Sequence, residues 1–167
     1  MSKTVIILGT SRNDGNTRKM VDELRSKGGY DLINLSDFNI GYFEYEFKNK
    51  DDDFIPLMER IVKEYETLLF ATPVYWYSMS AQMKTFIDRF SDLVRDRKDI
   101  GRQLRGKKMA ALNCSHSSDQ PESYFMPFKE SANYLGMTYL GDARAWSSDG
   151  TVSDEVKSNI LELSRLL

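Results

Sequence analysis

Cysteine is almost absent from this chain: Cys114 is the only one in 167 residues. An intramolecular disulfide is therefore excluded, and so is any metal site built from several thiolates. Histidine is equally scarce, with His116 alone, so a histidine cluster is excluded too and no metal is expected. No apolar run approaches the roughly 20 residues of a membrane helix. The short Val5–Leu8 stretch cannot serve as the core of a signal peptide. No membrane association and a cytoplasmic location are the expectations. Positive charge is not in surplus either: 23 Lys and Arg stand against 25 Asp and Glu, a formal net charge of −2. That balance argues against a nucleic-acid partner gripped through a broad basic face. No linker, repeat or low-complexity stretch interrupts the sequence, so residues 1–167 read as a single domain. A chain of this size buries about two-thirds of its unfolded surface without covalent help.

What the chain does have is alternation. Val5-Ile6-Ile7-Leu8 is a short, fully apolar, β-branched run ending at Gly9, the pattern of a strand buried on both faces of a parallel sheet. Met20, Val21 and Leu24 then fall at helical spacing, and Gly28-Gly29 stops them. Tyr30–Leu35 reads as a second strand, followed by a polar, aromatic-rich stretch at 36–53. Ile55, Met58, Ile61, Val62 and Tyr65 mark the next helix, and Thr67–Thr72 a third strand cut off by Pro73. Met83, Phe86, Ile87, Phe90, Leu93 and Val94 form one apolar stripe, which predicts a single helix. Met109–Leu112 is a fourth strand. A helix between Pro121 and Leu135 must accommodate Pro127 in its first turns or kink there, and Gly136 stops it. Met137–Ala145 is the fifth strand, and Ser153 caps a last helix carrying Val156, Ile160, Leu163 and Leu167. Five strands alternating with helices predict an α/β fold with a doubly wound parallel sheet, strand order 2-1-3-4-5 and helices on both faces.

In such a sheet ligands sit at the carboxyl ends of the strands, where the strand order reverses between strands one and three. Three loops should line that place. The first, Thr10–Thr17, brings hydroxyls, an amide, Gly15 and the Arg12 guanidinium to a helix N-terminus, a composition suited to a phosphate. It has neither the Lys-Ser/Thr of a Walker loop nor the glycine spacing of a dinucleotide fold. An ordinary polar turn with Asn16 or Thr17 as a cap is the other reading. The second loop, Pro73–Ser80, carries Tyr75, Trp76 and Tyr77 in succession. These aromatics suit either the walls around a flat ligand or a subunit contact. The third, Asn113–Asp119, completes the wall with small polar residues. Cys114 and His116 are the residue types of a nucleophile pair, but Cys114 fits better as a small filler at a strand end.

Gly-Thr-Ser-Arg-x-x-Gly-Asn-Thr at 9–17, together with Thr-Pro-Val-Tyr-Trp-Tyr-Ser-Met-Ser-Ala-Gln-Met-Lys-Thr-Phe-Ile-Asp-Arg at 72–89, resembles the flavodoxin-like NAD(P)H-dependent FMN reductase family. The resemblance implies a flavodoxin-like fold throughout and non-covalent FMN as cofactor. By that similarity Thr10, Ser11, Arg12, Asn16 and Thr17 bind the FMN phosphate. Pro73, Val74, Tyr75, Trp76 and Ser78 border the isoalloxazine, and Asn113, Cys114, Ser115 and His116 approach it from the fourth strand. Ser11 stands where many relatives have proline. Lys84, Asp88 and Arg89 match the family's helix motif and read as a structural and interface network. Some relatives hold an iron–sulfur centre on cysteines after the second strand. Here Asn39–Tyr45 contains none, which excludes that branch.

The implied activity is hydride transfer from NADPH or NADH to FMN and onward to a small acceptor: a quinone, a free flavin, a nitro or an azo compound. No protein acid or base is obligatory for the first transfer, so no catalytic residue is named. The family also implies a homodimer or homotetramer. An electron carrier of the flavodoxin type is the alternative, although such carriers are usually strongly acidic and lack an equivalent of Arg12. A flavin-free scaffold is a third reading, against which the intact loops at 9–17 and 72–78 argue.

Overall fold

The computed structural model describes residues 3–167. In chain order the elements are β1 (Thr4–Leu8), α1 (Asn16–Arg25), β2 (Asp31–Asn34), α2 (Phe54–Glu64), β3 (Thr67–Pro73), α3 (Ala81–Asp88), α4 (Phe90–Arg95), α5 (Lys98–Gly101), β4 (Lys108–Ser115), α6 (Met126–Leu135), β5 (Thr138–Trp146) and α7 (Asp154–Ser164). The five strands form one sheet in the order β2-β1-β3-β4-β5, with every pairing parallel. This is the predicted flavodoxin-like architecture.

Strand periodicity sorts the side chains into two cores. Val5 and Ile7 of β1, with Leu68 and Phe70 of β3, face α2, α3, α4 and α6, where Phe54, Phe86, Phe90 and Phe128 gather. Ile6 and Leu8, with Leu69 and Ala71, face α1 and α7 and meet Met20, Leu24, Val156 and Ile160. The all-apolar strand runs follow directly from this two-sided burial.

The apolar stripe at 83–94 does not form the single helix that its spacing predicts. The chain breaks at Arg89 into α3 and α4. Asp92 N–H donates to the Arg89 carbonyl at 2.9 Å, a tightened three-residue turn. The Arg89 side chain is turned inward: its Nε donates to Asp92 at 2.6 Å, and Nη1 reaches Asp52 at 2.5 Å and the Gly41 carbonyl at 3.0 Å, while Nη2 reaches the Asn49 carbonyl at 3.1 Å. One buried guanidinium thus fastens the 41–52 excursion to the helical layer. Lys84 and Asp88 instead pair with each other on the surface at 2.6 Å.

Pro127 sits in the first turn of α6, where its missing N–H costs nothing. Gly136 ends that helix with φ of +71°, while Met137 N–H closes onto the Ala132 carbonyl at 2.9 Å. At the opposite end of the sheet, Gly9 lets α3 approach β1. A Cβ there would lie 3.0 Å from that of Met83. No helix among the described residues is long and apolar enough to cross a membrane.

Candidate functional site

The carboxyl ends of β1, β3 and β4 enclose a cavity of about 230 Å3 at the point where the strand order reverses. Of the residues anticipated from sequence, Thr10, Arg12, Asn16, Thr17, Pro73, Val74, Tyr75, Cys114, Ser115 and His116 line it. Gly15 and Ser147 line it as well. Ser147 comes from the loop after β5, which the sequence reading did not include. It reaches the site because β4 pairs with β5 up to Ser115 and Trp146, and the Asn16 amide donates to the Ser147 carbonyl at 3.1 Å. Lys19 braces the same loop by donating to the Gly150 carbonyl at 2.6 Å.

The floor of the cavity is built from local hydrogen bonds. Ser80 caps α3 by accepting from Met83 N–H at 3.1 Å, and its hydroxyl donates to the Gly9 carbonyl at 2.8 Å. Val74 N–H donates to the Cys114 carbonyl at 2.8 Å, continuing the β3–β4 pairing past Pro73. The first loop is tied to β2 through Asn13, whose side-chain oxygen accepts from Asn34 at 2.6 Å and Ser36 at 3.3 Å.

Helix α1 begins at this cavity without a side-chain cap. Its N-cap is Gly15, and its first turn holds no acid. The leading N–H groups are therefore free to meet an anion, favoured further by the helix dipole. Arg12 adds a guanidinium with no ion pair among the described residues. Thr10 and Thr17 contribute buried hydroxyls. Free N–H donors, hydroxyls and an uncompensated cation fit the phosphate end of FMN.

Four anticipated residues, Ser11, Trp76, Ser78 and Asn113, do not line this cavity. Ser11 is exposed, and its hydroxyl is 2.9 Å from that of Tyr75, joining the first loop to the second. Asn113 is wholly buried beneath the cavity, where its amide donates to Gln120 and its oxygen accepts from Ala145 N–H at 3.3 Å. Ser78 pairs with Tyr75 through two backbone hydrogen bonds of 2.8 and 3.0 Å. These close a two-residue hairpin with Trp76 and Tyr77 at its corner, at φ of +50° and +63°. Two positive angles in sequence are the signature of a type I′ turn, which normally takes Asn and Gly. For aromatic residues that backbone costs on the order of 1–3 kcal/mol each.

A second cavity, of about 280 Å3, shares Val74, Ser115 and His116 with the first and is walled by this corner. The two cavities adjoin, the first lined by the hydroxyls, amide and guanidinium of the loop before α1 and the second by Trp76 and Tyr77 facing His116, Asp119 and Gln120. Cys114 lines the first as a thiol. Burial pushes its pKa up to about 11, only partly offset by a hydrogen bond to Thr17. A thiolate nucleophile is therefore not available near neutral pH. Burial likewise raises the neighbouring Tyr124 hydroxyl well above the ordinary tyrosine range.

Comparison with known proteins identifies the family. Residues 2–151 match the family model described as NADPH-dependent FMN reductase. A Bacillus subtilis (strain 168) protein, YwqN, described as an NAD(P)H-dependent FMN-containing oxidoreductase, is 28% identical over 151 residues, covering 83% of this chain and 82% of its own. An iron–sulfur flavoprotein of Archaeoglobus fulgidus is 36% identical over 100 residues, but these cover only 52% of this chain and 44% of that protein. With one cysteine, this chain cannot supply a set of thiolates to such a cluster. Among solved structures, one described as Trp repressor binding protein from Bacillus subtilis has a TM-score of 0.75 and 24% identity. The match covers 99% of this chain and 97% of that one, and it supports the fold.

Proposed function

The chain belongs to the NADPH-dependent FMN reductase family, and from that premise we propose that it holds FMN in the cleft between β1 and β3 and passes a hydride from NADPH or NADH through it to a small acceptor. Quinones, free flavins, nitro compounds and azo compounds are the acceptor classes. The observation that carries the proposal is the uncapped N-terminus of α1 facing a cavity that also receives Arg12.

FMN, when bound, supplies the two-electron redox chemistry. The protein's own part is to bind and orient. Arg12 and the first N–H groups of α1 hold the phosphate, with Thr10, Asn16 and Thr17 completing its shell. Pro73, Val74 and Tyr75 border the ring, and their rigidity comes from the β3–β4 pairing and the Ser80 cap beneath them. Cys114 and Ser115 close the far wall. In this reading His116, exposed and lining both cavities, or Tyr75, lining the first, gives a proton to the reduced acceptor. Asn113 acts from below by fixing Gln120, whose amide in turn donates to Ser115 at 2.6 Å.

Residues 1–167 form a single FMN-binding domain in this reading, working in the cytoplasm as a homodimer or homotetramer. The test is anaerobic mixing of the FMN-loaded protein with NADPH and with NADH. Rapid loss of the yellow colour is expected with at least one of them. A protein that keeps its colour with both is an electron carrier, and the proposal fails.

A further inference from the structure

Between residues 95 and 108 the chain carries seven Lys or Arg and only two Asp, although its net charge is −2. Part of that surplus is satisfied within the fold. Arg97 pairs with Glu59 at 2.7 Å and Asp99 at 3.0 Å, Arg95 lies over the Tyr45 ring, and the buried Lys107 donates to the Tyr65 carbonyl at 2.7 Å. The side chains of Lys98, Arg102 and Arg105 have no hydrogen bond or ion pair among the described residues. These three line one cavity of about 370 Å3, and among the described residues no Asp or Glu lines it. Cations gathered without a counter-charge repel one another and oppose folding. One of them would serve the nearby C-terminus of α6, which has no basic residue in its last turn. Three exceed that need.

The cavity lies away from the cleft. Arg105 comes just before β4 and Leu135 just before β5, so it sits at the amino ends of these strands, whereas the cleft opens at the carboxyl ends of β1, β3 and β4. The two connections are fixed to each other. Gly106 N–H donates to the Gly136 carbonyl at 2.9 Å, and a Cβ at Gly136 would lie 3.3 Å from Arg105 Cγ, so the arginine stem runs close against the end of α6. Leu93, Val94 and Leu135 give the cavity an apolar side, where the Tyr134 ring is 79% exposed.

We propose that this cavity binds a small organic polyanion that joins two or more phosphate charges to a flat ring, the chemistry of a nucleoside diphosphate. Arginine forks match phosphate oxygens in pairs, and Lys98 adds a point charge. A ring laid on Tyr134 and the apolar side leaves water while the phosphates stay with the cations. The volume suits one such molecule, whereas a nucleic-acid strand needs an extended basic track. The ligand is no reactant of the cleft, because the two sites lie at opposite ends of the sheet. The proposal stands whether or not the cleft holds FMN.

The test is calorimetric titration of ADP, pyrophosphate, adenosine and a thymidine oligonucleotide into the native chain and three variants. ADP should bind the native chain, pyrophosphate several-fold more weakly and adenosine at least about tenfold more weakly, since each of these lacks one half of the recognised chemistry. Raised NaCl should weaken the ADP interaction. Arg102→Gln combined with Arg105→Gln should lower ADP affinity at least about tenfold. Its melting temperature should be unchanged or slightly higher, because both side chains are exposed and unpaired. Tyr134→Ala should weaken ADP and leave pyrophosphate unchanged. Arg12→Ala, which alters the cleft, should keep ADP affinity within about twofold, as expected of a distant and independent site.

No heat from ADP at millimolar concentration overturns the proposal, and so does ADP affinity that survives the double substitution. Binding lost in Arg12→Ala but kept in the double variant would put ADP in the cleft, which overturns it as well. Pyrophosphate binding as tightly as ADP would reduce the cavity to a patch for inorganic anions. An oligonucleotide binding more tightly than ADP would make it part of a nucleic-acid track. Either result contradicts the assignment. ADP affinity that falls in the Arg102–Arg105 and Tyr134 variants and holds in Arg12→Ala establishes it.

Discussion

The hydroxyls of Ser11 and Tyr75 lie 2.9 Å apart, bridging two loops that are 64 residues distant in sequence. This contact joins the loop that leads into α1 to the one that follows β3. Ser11→Ala and Tyr75→Phe should each weaken FMN binding by about 0.5–1.5 kcal/mol, the ordinary net worth of one hydrogen bond. The double variant should be no worse than either single one, because both remove the same bond. Titration of FMN into the four proteins measures this, and additive losses would show that the two residues act separately.

Arg12 has no ion pair to lose among the described residues. Arg12→Ala should therefore leave the stability of the FMN-free protein within about 0.5 kcal/mol. FMN binding should weaken by about 1.5–3 kcal/mol, the range for a hydrogen bond to a charged group. Paired thermal melts and FMN titrations separate the two effects. Equal FMN affinity in the variant would place the phosphate elsewhere.

Arg89 behaves in the opposite way. Its side chain is almost completely buried between Asp52 and Asp92. Arg89→Ala leaves two carboxylates without a counter-charge inside the protein, and urea unfolding should show a loss of about 3–5 kcal/mol. Limited proteolysis should cut first within 41–52, the segment that this guanidinium holds through Gly41 and Asn49.

Cys114 gives a pH dependence whose sign is fixed. Its folded pKa, about 11, lies above the ordinary value of 9.0. The associated stability is therefore fully present below pH 9 and is lost as pH rises through 11, because the unfolded chain releases its proton first. The two-unit difference corresponds to about 2–3 kcal/mol. Subtracting the stability curve of Cys114→Ala from that of the native protein over pH 8–11 isolates it. Iodoacetamide should also react slowly with the native thiol at pH 8 and quickly once the protein is unfolded.

The strands were legible because their residues are buried on both sides. Val5–Leu8 and Leu68–Ala71 leave no polar position to confuse the reading. The polar loops were legible through topology, since the order reversal brings the ends of β1 and β3 together. Three features were not. The apolar stripe at 83–94 gives no sign of a break at Arg89, because the cause is an arginine turned inward toward Asp52, 37 positions away. Ser147 is an ordinary serine in sequence, and only the β4–β5 register carries it to the cavity. The turn at 75–78 lacks the Asn-Gly that signals its backbone, so Trp76 and Tyr77 read as generic aromatic wall. The strained corner separates them from Tyr75, which lines the first cavity.

Calorimetric titration of the same protein with FMN and with riboflavin tests the grip of the α1 N-terminus and Arg12 most directly, since the two ligands share their ring and differ by the phosphate. Two or more charged hydrogen bonds of at least about 1.5 kcal/mol each predict that FMN binds at least roughly a hundredfold more tightly. Riboflavin binding as tightly as FMN, or no heat from either, would contradict the account.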